Sequence, residues 1–67
     1  MTMSVSRLLT RYNLPVTDGY ALICVAEDYA RLVGISVDNV YEAALTSREY
    51  ANHLISVMRK RQKETRQ

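Results

Sequence analysis

The densest cluster of chemically capable side chains lies near the C-terminus, where Arg59, Lys60, Arg61 and Lys63 place four cations within five residues. Guanidinium and ammonium groups at that density suit phosphate oxygens, so these four are the candidate phosphate contacts. The same charges also complement the negative end of a helix macrodipole without any ligand, and the expected state of residues 62–67 is a frayed, solvated basic tail. Elsewhere, catalytic material is sparse. His53 is the only histidine and Cys24 the only cysteine. There is no Gly-rich phosphate loop, and no nucleophile has a base at a recognisable spacing. Glu27 with Asp28, and Asp38 with Glu42, have the spacing of solvated helix faces. Cys24 lies in an apolar stretch and reads as a small packed hydrophobe. The chain is expected to have no enzymatic activity, no cofactor and no metal.

The second chemical signal is a mismatch between spacing and charge over residues 26–45. Tyr29, Ala30 and Val33 line a first helix, Gly34 opens a turn, Ile35 plugs it, and Val40 and Ala43 face back from a second helix, which is helix-turn-helix spacing. The second helix, however, begins Ser36-Val37-Asp38-Asn39-Val40-Tyr41-Glu42, with two acids and no base. A groove-reading helix needs donors for phosphates and guanine edges, so the segment reads more readily as a packed helical corner.

Those residues must be positioned by a small, helix-compatible chain. Its 67 residues are 48% apolar, with two Gly and one Pro, and form one small helical domain over residues 1–67. A domain of that size is marginal alone, and with one Cys and one His neither an internal disulfide nor a zinc site is expected to help it. Self-association is the remaining aid, so a homodimer is expected. All five aromatic residues are tyrosines, Tyr12, Tyr20, Tyr29, Tyr41 and Tyr50. Their hydroxyls suit half-buried positions and interface rims.

The expected fold is mainly α, with two principal helices of about 18–33 and 37–61 and a short N-terminal helix or strand, assembled as an intertwined homodimer. Thr17 or Asp18 caps the first and Gly34 ends it. Ser36 caps the second, whose apolar stripe continues without Gly or Pro to Met58. A single helix is preferred there, although Thr46 with Glu49 offers a capping box that would divide it into 37–45 and 47–61. A helix of about 25 residues is too long for a chain this small to cover, so its second half is expected along a mate. The interface is assigned to Leu22 and Val25 on the first helix and to Ala51, Leu54, Ile55 and Met58 on the second. Near the N-terminus, Val5, Leu8, Leu9 and Tyr12 have helical spacing, while Tyr12 to Val16, extended before Pro15, could instead pair as a strand with its own copy.

Charge is zoned. Residues 1–17 carry Arg7 and Arg11 and no acid, residues 18–49 carry six acids against Arg31 and Arg48, and residues 50–67 carry five bases against Glu64, so a formal net charge of +2 conceals a polarised chain. No run has the length of a membrane span, and the start MTMSVSRLLTRYN lacks the apolar stretch of a secretory signal, so no membrane association is expected.

The stretches SVSRLLTRYNLPVTDGYALICVAEDYARLVGIS and VDNVYEAAL, together residues 4–45, resemble the short early-region proteins encoded between the exonuclease and excisionase genes of lambda-like temperate phages. The resemblance implies a small dimeric, mostly helical, non-enzymatic protein. It would be made early in infection, act in the host cytoplasm and push the host toward lytic development. It carries over no binding residue. Gly34-Ile35-Ser36 is also similar to the turn of ribbon-helix-helix repressors, but Pro15 lies about one helical turn too far from Gly34 and the preceding stretch lacks strand alternation.

The functional expectation is therefore a protein-interaction module that engages a host or phage protein at an apolar cleft lined by Tyr29, Val33, Val40, Tyr41 and Ala44. The acids Glu27, Asp28, Asp38 and Glu42 border that cleft and favour a partner helix carrying bases. The alternative is a small DNA-binding regulator of helix-turn-helix or ribbon-helix-helix type.

Overall fold

The computed structural model describes residues 3–65, and these form four helices: α1 (Met3–Arg11), α2 (Gly19–Val33), α3 (Val37–Thr46) and α4 (Arg48–Thr65). There is no strand among the described residues.

The N-terminal segment takes the helical alternative. Val5, Leu8 and Leu9 are buried on one side of α1, and its end is fixed by Asn13, which adopts a left-handed conformation at φ 55°. The Leu14 N–H then donates to the Leu9 carbonyl at 2.8 Å, the bond pattern of a Schellman stop. Because residues 12–14 turn in this way, the strand considered for Tyr12 to Val16 does not form. Pro15 is extended, and Val16–Asp18 make a single 3-10 turn leading into α2.

Helix α2 begins and ends where the capping signals place it, but Asp18 makes no side-chain cap bond. At the other end Gly34 adopts φ 83°, and the N–H groups of Gly34 and Ile35 both donate to the Ala30 carbonyl at 2.8 and 3.0 Å. A left-handed residue there reverses the chain within three residues. Ser36 starts α3, its Oγ accepting from the Asn39 N–H at 3.2 Å.

The single helix expected over 37–61 is divided in two. Ser47 has extended dihedrals, φ −127° and ψ 116°, and its Oγ accepts from the Tyr50 N–H at 3.3 Å. Ser47 is thus the cap, rather than Thr46, whose hydroxyl instead donates back to the carbonyls of Glu42 and Ala43. An unbroken helix of that length would span about 37 Å at 1.5 Å per residue, more than the 33 Å longest dimension of the folded chain. Breaking at Ser47 lets α4 fold back and bury Ala51, Leu54 and Met58 on its own chain.

Helices α2 and α3 each pack against the other three helices. The core joins Val5, Leu8 and Leu9 of α1, Leu22, Val25, Ala26 and Ala30 of α2, Val40, Tyr41 and Ala44 of α3, and Ala51, Leu54 and Met58 of α4. The Tyr12 hydroxyl ties the end of α1 to α3 by donating to the Ala44 carbonyl at 2.6 Å. Helices α2 and α4 run antiparallel, since Asp18 meets Gln62 while Tyr29 meets Tyr50. Helix α4 extends to Thr65, into the segment expected to be a basic tail. Residues 66 and 67 of that expected tail lie outside the described residues. No helix among the described residues is long and apolar enough to cross a membrane.

Candidate interaction surface

Helix α2 organises the surface because its two ends have different surroundings. At its N-terminal end Asp18 is only 5% exposed. Its Oδ2 lies 2.8 Å from Arg59 Nη1, and its Oδ1 accepts from Gln62 Nε2 at 2.9 Å. Arg59 Nη1 also donates to Gln62 Oε1 at 2.9 Å. A carboxylate beside the first turn of α2 matches the positive end of its dipole, and Arg59 supplies the counter-charge that burial requires. About three turns further along, Asp28 receives Arg61 at 2.7 Å and also pairs with Arg31. The Arg61 hydrogen bond is the main reason that the Asp28 carboxyl lies below the usual carboxylate range.

Beyond that pair the groove between α2 and α4 turns apolar. Tyr29 meets the Tyr50 ring edge-on at 5.6 Å between centroids and the His53 ring at 5.8 Å. Burial, assisted by the adjacent Tyr29 phenol, pushes the Tyr50 phenol above its ordinary value. Tyr29, Leu32, His53 and Val57 are among the walls of a concavity of about 170 Å³, with Asp28 and Arg61 also lining it. Leu32 connects it to the corner. It is 85% exposed, Val33 is 50% exposed and Ile35 39% exposed, so three large apolar side chains stand in solvent around Gly34. Ile35, expected to plug the turn, is 39% exposed.

The five residues expected to line a partner cleft are not brought together. Val40, Tyr41 and Ala44 are buried in the core, Tyr29 is half-buried in the aromatic trio, and only Val33 reaches solvent at the corner. The apolar face of α3 fills the angle between helices with its own side chains, which leaves no open groove there. Burial is also the first cause of the raised Tyr41 phenol, with Glu27 and Asp38 adding to it through their charge. Both acids are exposed, Glu27 on α2 and Asp38 in the first turn of α3.

Of the six residues assigned to a dimer interface, Leu22, Val25, Ala51, Leu54 and Met58 lie in the core of one chain and Ile55 packs partly buried against it. They are not on its outer surface. Of the four candidate phosphate contacts, Arg59 and Arg61 are held by Asp18 and Asp28, whereas Lys60 and Lys63 are exposed. The outer face of α3 carries Asp38, Asn39 and Glu42. Cys24 is half-buried, and His53 is exposed beside Tyr29.

Sequence reasoning missed Leu32 and Ile35 as surface residues. Their only signal was apolar residues on both sides of a helix-ending glycine, which fits a plugged turn equally well. No family model matches this chain, and neither a curated protein nor a solved structure matches it.

Proposed function

We propose that this protein is a non-enzymatic early phage protein that promotes lytic development by binding a host or phage protein through the apolar corner at the end of α2. The observation that carries the reading is the joint exposure of Leu32, Val33 and Ile35 on a corner closed by the Gly34 and Ile35 N–H bonds to the Ala30 carbonyl. Burying one such side chain contributes roughly 1.5–3 kcal/mol, and a few central anchors supply most of the energy of an interface. The adjoining Tyr29, His53 and Val57 concavity extends the surface along α2 and α4. Asp38, in the first turn of α3 just after the corner, favours a partner helix with Lys or Arg beside its apolar stripe. The phage assignment is supported by the resemblance over residues 4–45, and the host cytoplasm follows from it.

A homodimer belongs to the same proposal, on different residues from those first assigned to it. With the core closed within one chain, the apolar side chains left outside at the opposite end of α2 are Val16 and Tyr20, and these are its contact surface. Reading of DNA by α3 is disfavoured by Asp38 and Glu42 on its outer face.

Affinity capture from host cells, quantified for the wild type and for Leu32→Asp with Ile35→Asp, tests the reading. Both positions are exposed, so the variant keeps its helical circular dichroism. The expected result is a partner retained by the wild type and lost by the variant. A partner retained equally by both would refute the corner as the binding surface.

A further inference from the structure

We infer a second surface, separate from the apolar corner: the outer face of α1 is a sequence-independent docking site for the phosphate backbone of nucleic acid. Ser6, Arg7, Thr10 and Arg11 are all exposed and line one open concavity of about 560 Å³ together with Leu45. Arg7 and Arg11 are one helical turn apart, roughly 6 Å along the axis, and residues 1–17 contain no acid. Neither arginine is engaged by an acid among the described residues, in contrast to Arg59 and Arg61, which α2 neutralises.

A third guanidinium is held at the end of α1. Arg48 lies over the Tyr12 ring at 5.8 Å from its centroid, and that ring is itself fixed by the hydroxyl's bond to the Ala44 carbonyl. A cation stacked on an anchored ring loses less freedom when it binds an anion than one on an unrestrained side chain. The α1 face thus offers two guanidiniums and two hydroxyls, and α1 itself carries no carboxylate. This is the donor set that contacts phosphodiester oxygens. A side chain reaching base edges has no counterpart there, so binding is expected to be indifferent to sequence.

The test is fluorescence anisotropy of the full chain with a labelled DNA duplex of arbitrary sequence, read across salt. With about two phosphates neutralised, log K should fall with log salt at a slope near −2, and affinity at low salt should be roughly micromolar or weaker. Arg7→Gln with Arg11→Gln should weaken binding about tenfold or more, while Lys60→Gln with Lys63→Gln changes it less than about threefold. Leu32→Asp should leave it unchanged, which separates this surface from the apolar corner. Absence of binding at about 20 mM salt would overturn the inference. So would loss of binding in the lysine variant but not the arginine variant. Tighter binding of a labelled polyglutamate than of the duplex would overturn it in favour of an acidic protein partner.

Discussion

At Asp18 the N-terminal end of α2 is gripped by Arg59 and Gln62, whereas at its other end Leu32, Val33 and Ile35 surround Gly34 in solvent. Both ends belong to one rigid helix and rest on one core, so the contrast is not between ordered and disordered structure. It separates side chains that hold the fold from side chains the fold does not use. A buried carboxylate must have its partners inside the chain, and removing them is expensive. Exposed leucine and isoleucine at a well-bonded corner have no such internal role, which is why the account places binding there.

The largest effect tests the base shared by both ends. Leu54 is 1% exposed beneath α2, so Leu54→Asp should unfold the chain, because an unpaired charge in an apolar site costs several kcal/mol. Circular dichroism at micromolar concentration reads this directly, and a folded variant would remove Leu54 from the core. Next comes the contrast itself. Asp18→Ala should lower stability by about 2 kcal/mol, below the full value for a buried pair because Arg59 is 47% exposed and can rehydrate. Leu32→Ser should stay within about 0.5 kcal/mol. Equal losses in urea titrations of the two variants would erase the distinction.

Smaller still is the corner. A Cβ on Gly34 would meet nothing within 4 Å, so Gly34→Ala should cost only the backbone strain of φ +83°, about 1 kcal/mol. A loss of about 3 kcal/mol or more would mean that the corner is packed rather than open. The smallest effect is acid-dependent. The folded Asp28 carboxyl is depressed, chiefly by Arg61, so its contribution is complete above the ordinary value of 3.8 and is lost as pH falls toward the folded value. In Arg61→Gln the decline of stability below pH 4 should be shallower, as thermal melts would show.

Much of the backbone was readable from residues that act locally. Gly34 and Ser36 mark the corner through positive φ and capping, and the end of α2 and the start of α3 followed from them. The break at Ser47 was hidden because Val40, Ala44, Ala51, Leu54 and Met58 remain on one stripe whether or not the helix is cut. Periodicity is blind to it, and only the serine's capping oxygen distinguishes the two forms. The site was less legible than the fold. The spacing of Val40, Tyr41 and Ala44 says that they form a face but not whether that face meets a partner or the chain's own helices. The Asp18–Gln62 contact joins residues 44 apart in the chain, a separation over which no local pattern operates. Leu32 shares helical spacing with Leu22, Val25 and Tyr29 and is nonetheless exposed, since which parts of a helix are covered depends on where its neighbours end.

Site-specific photo-cross-linking in host cells tests the central claim most directly. A photoreactive aromatic amino acid is placed at position 32, on the apolar corner, and in a parallel strain at position 52, where Asn52 is exposed on α4. The account predicts a discrete adduct with another protein from position 32 and none from position 52. Equal labelling from both, or no adduct from position 32, would contradict it.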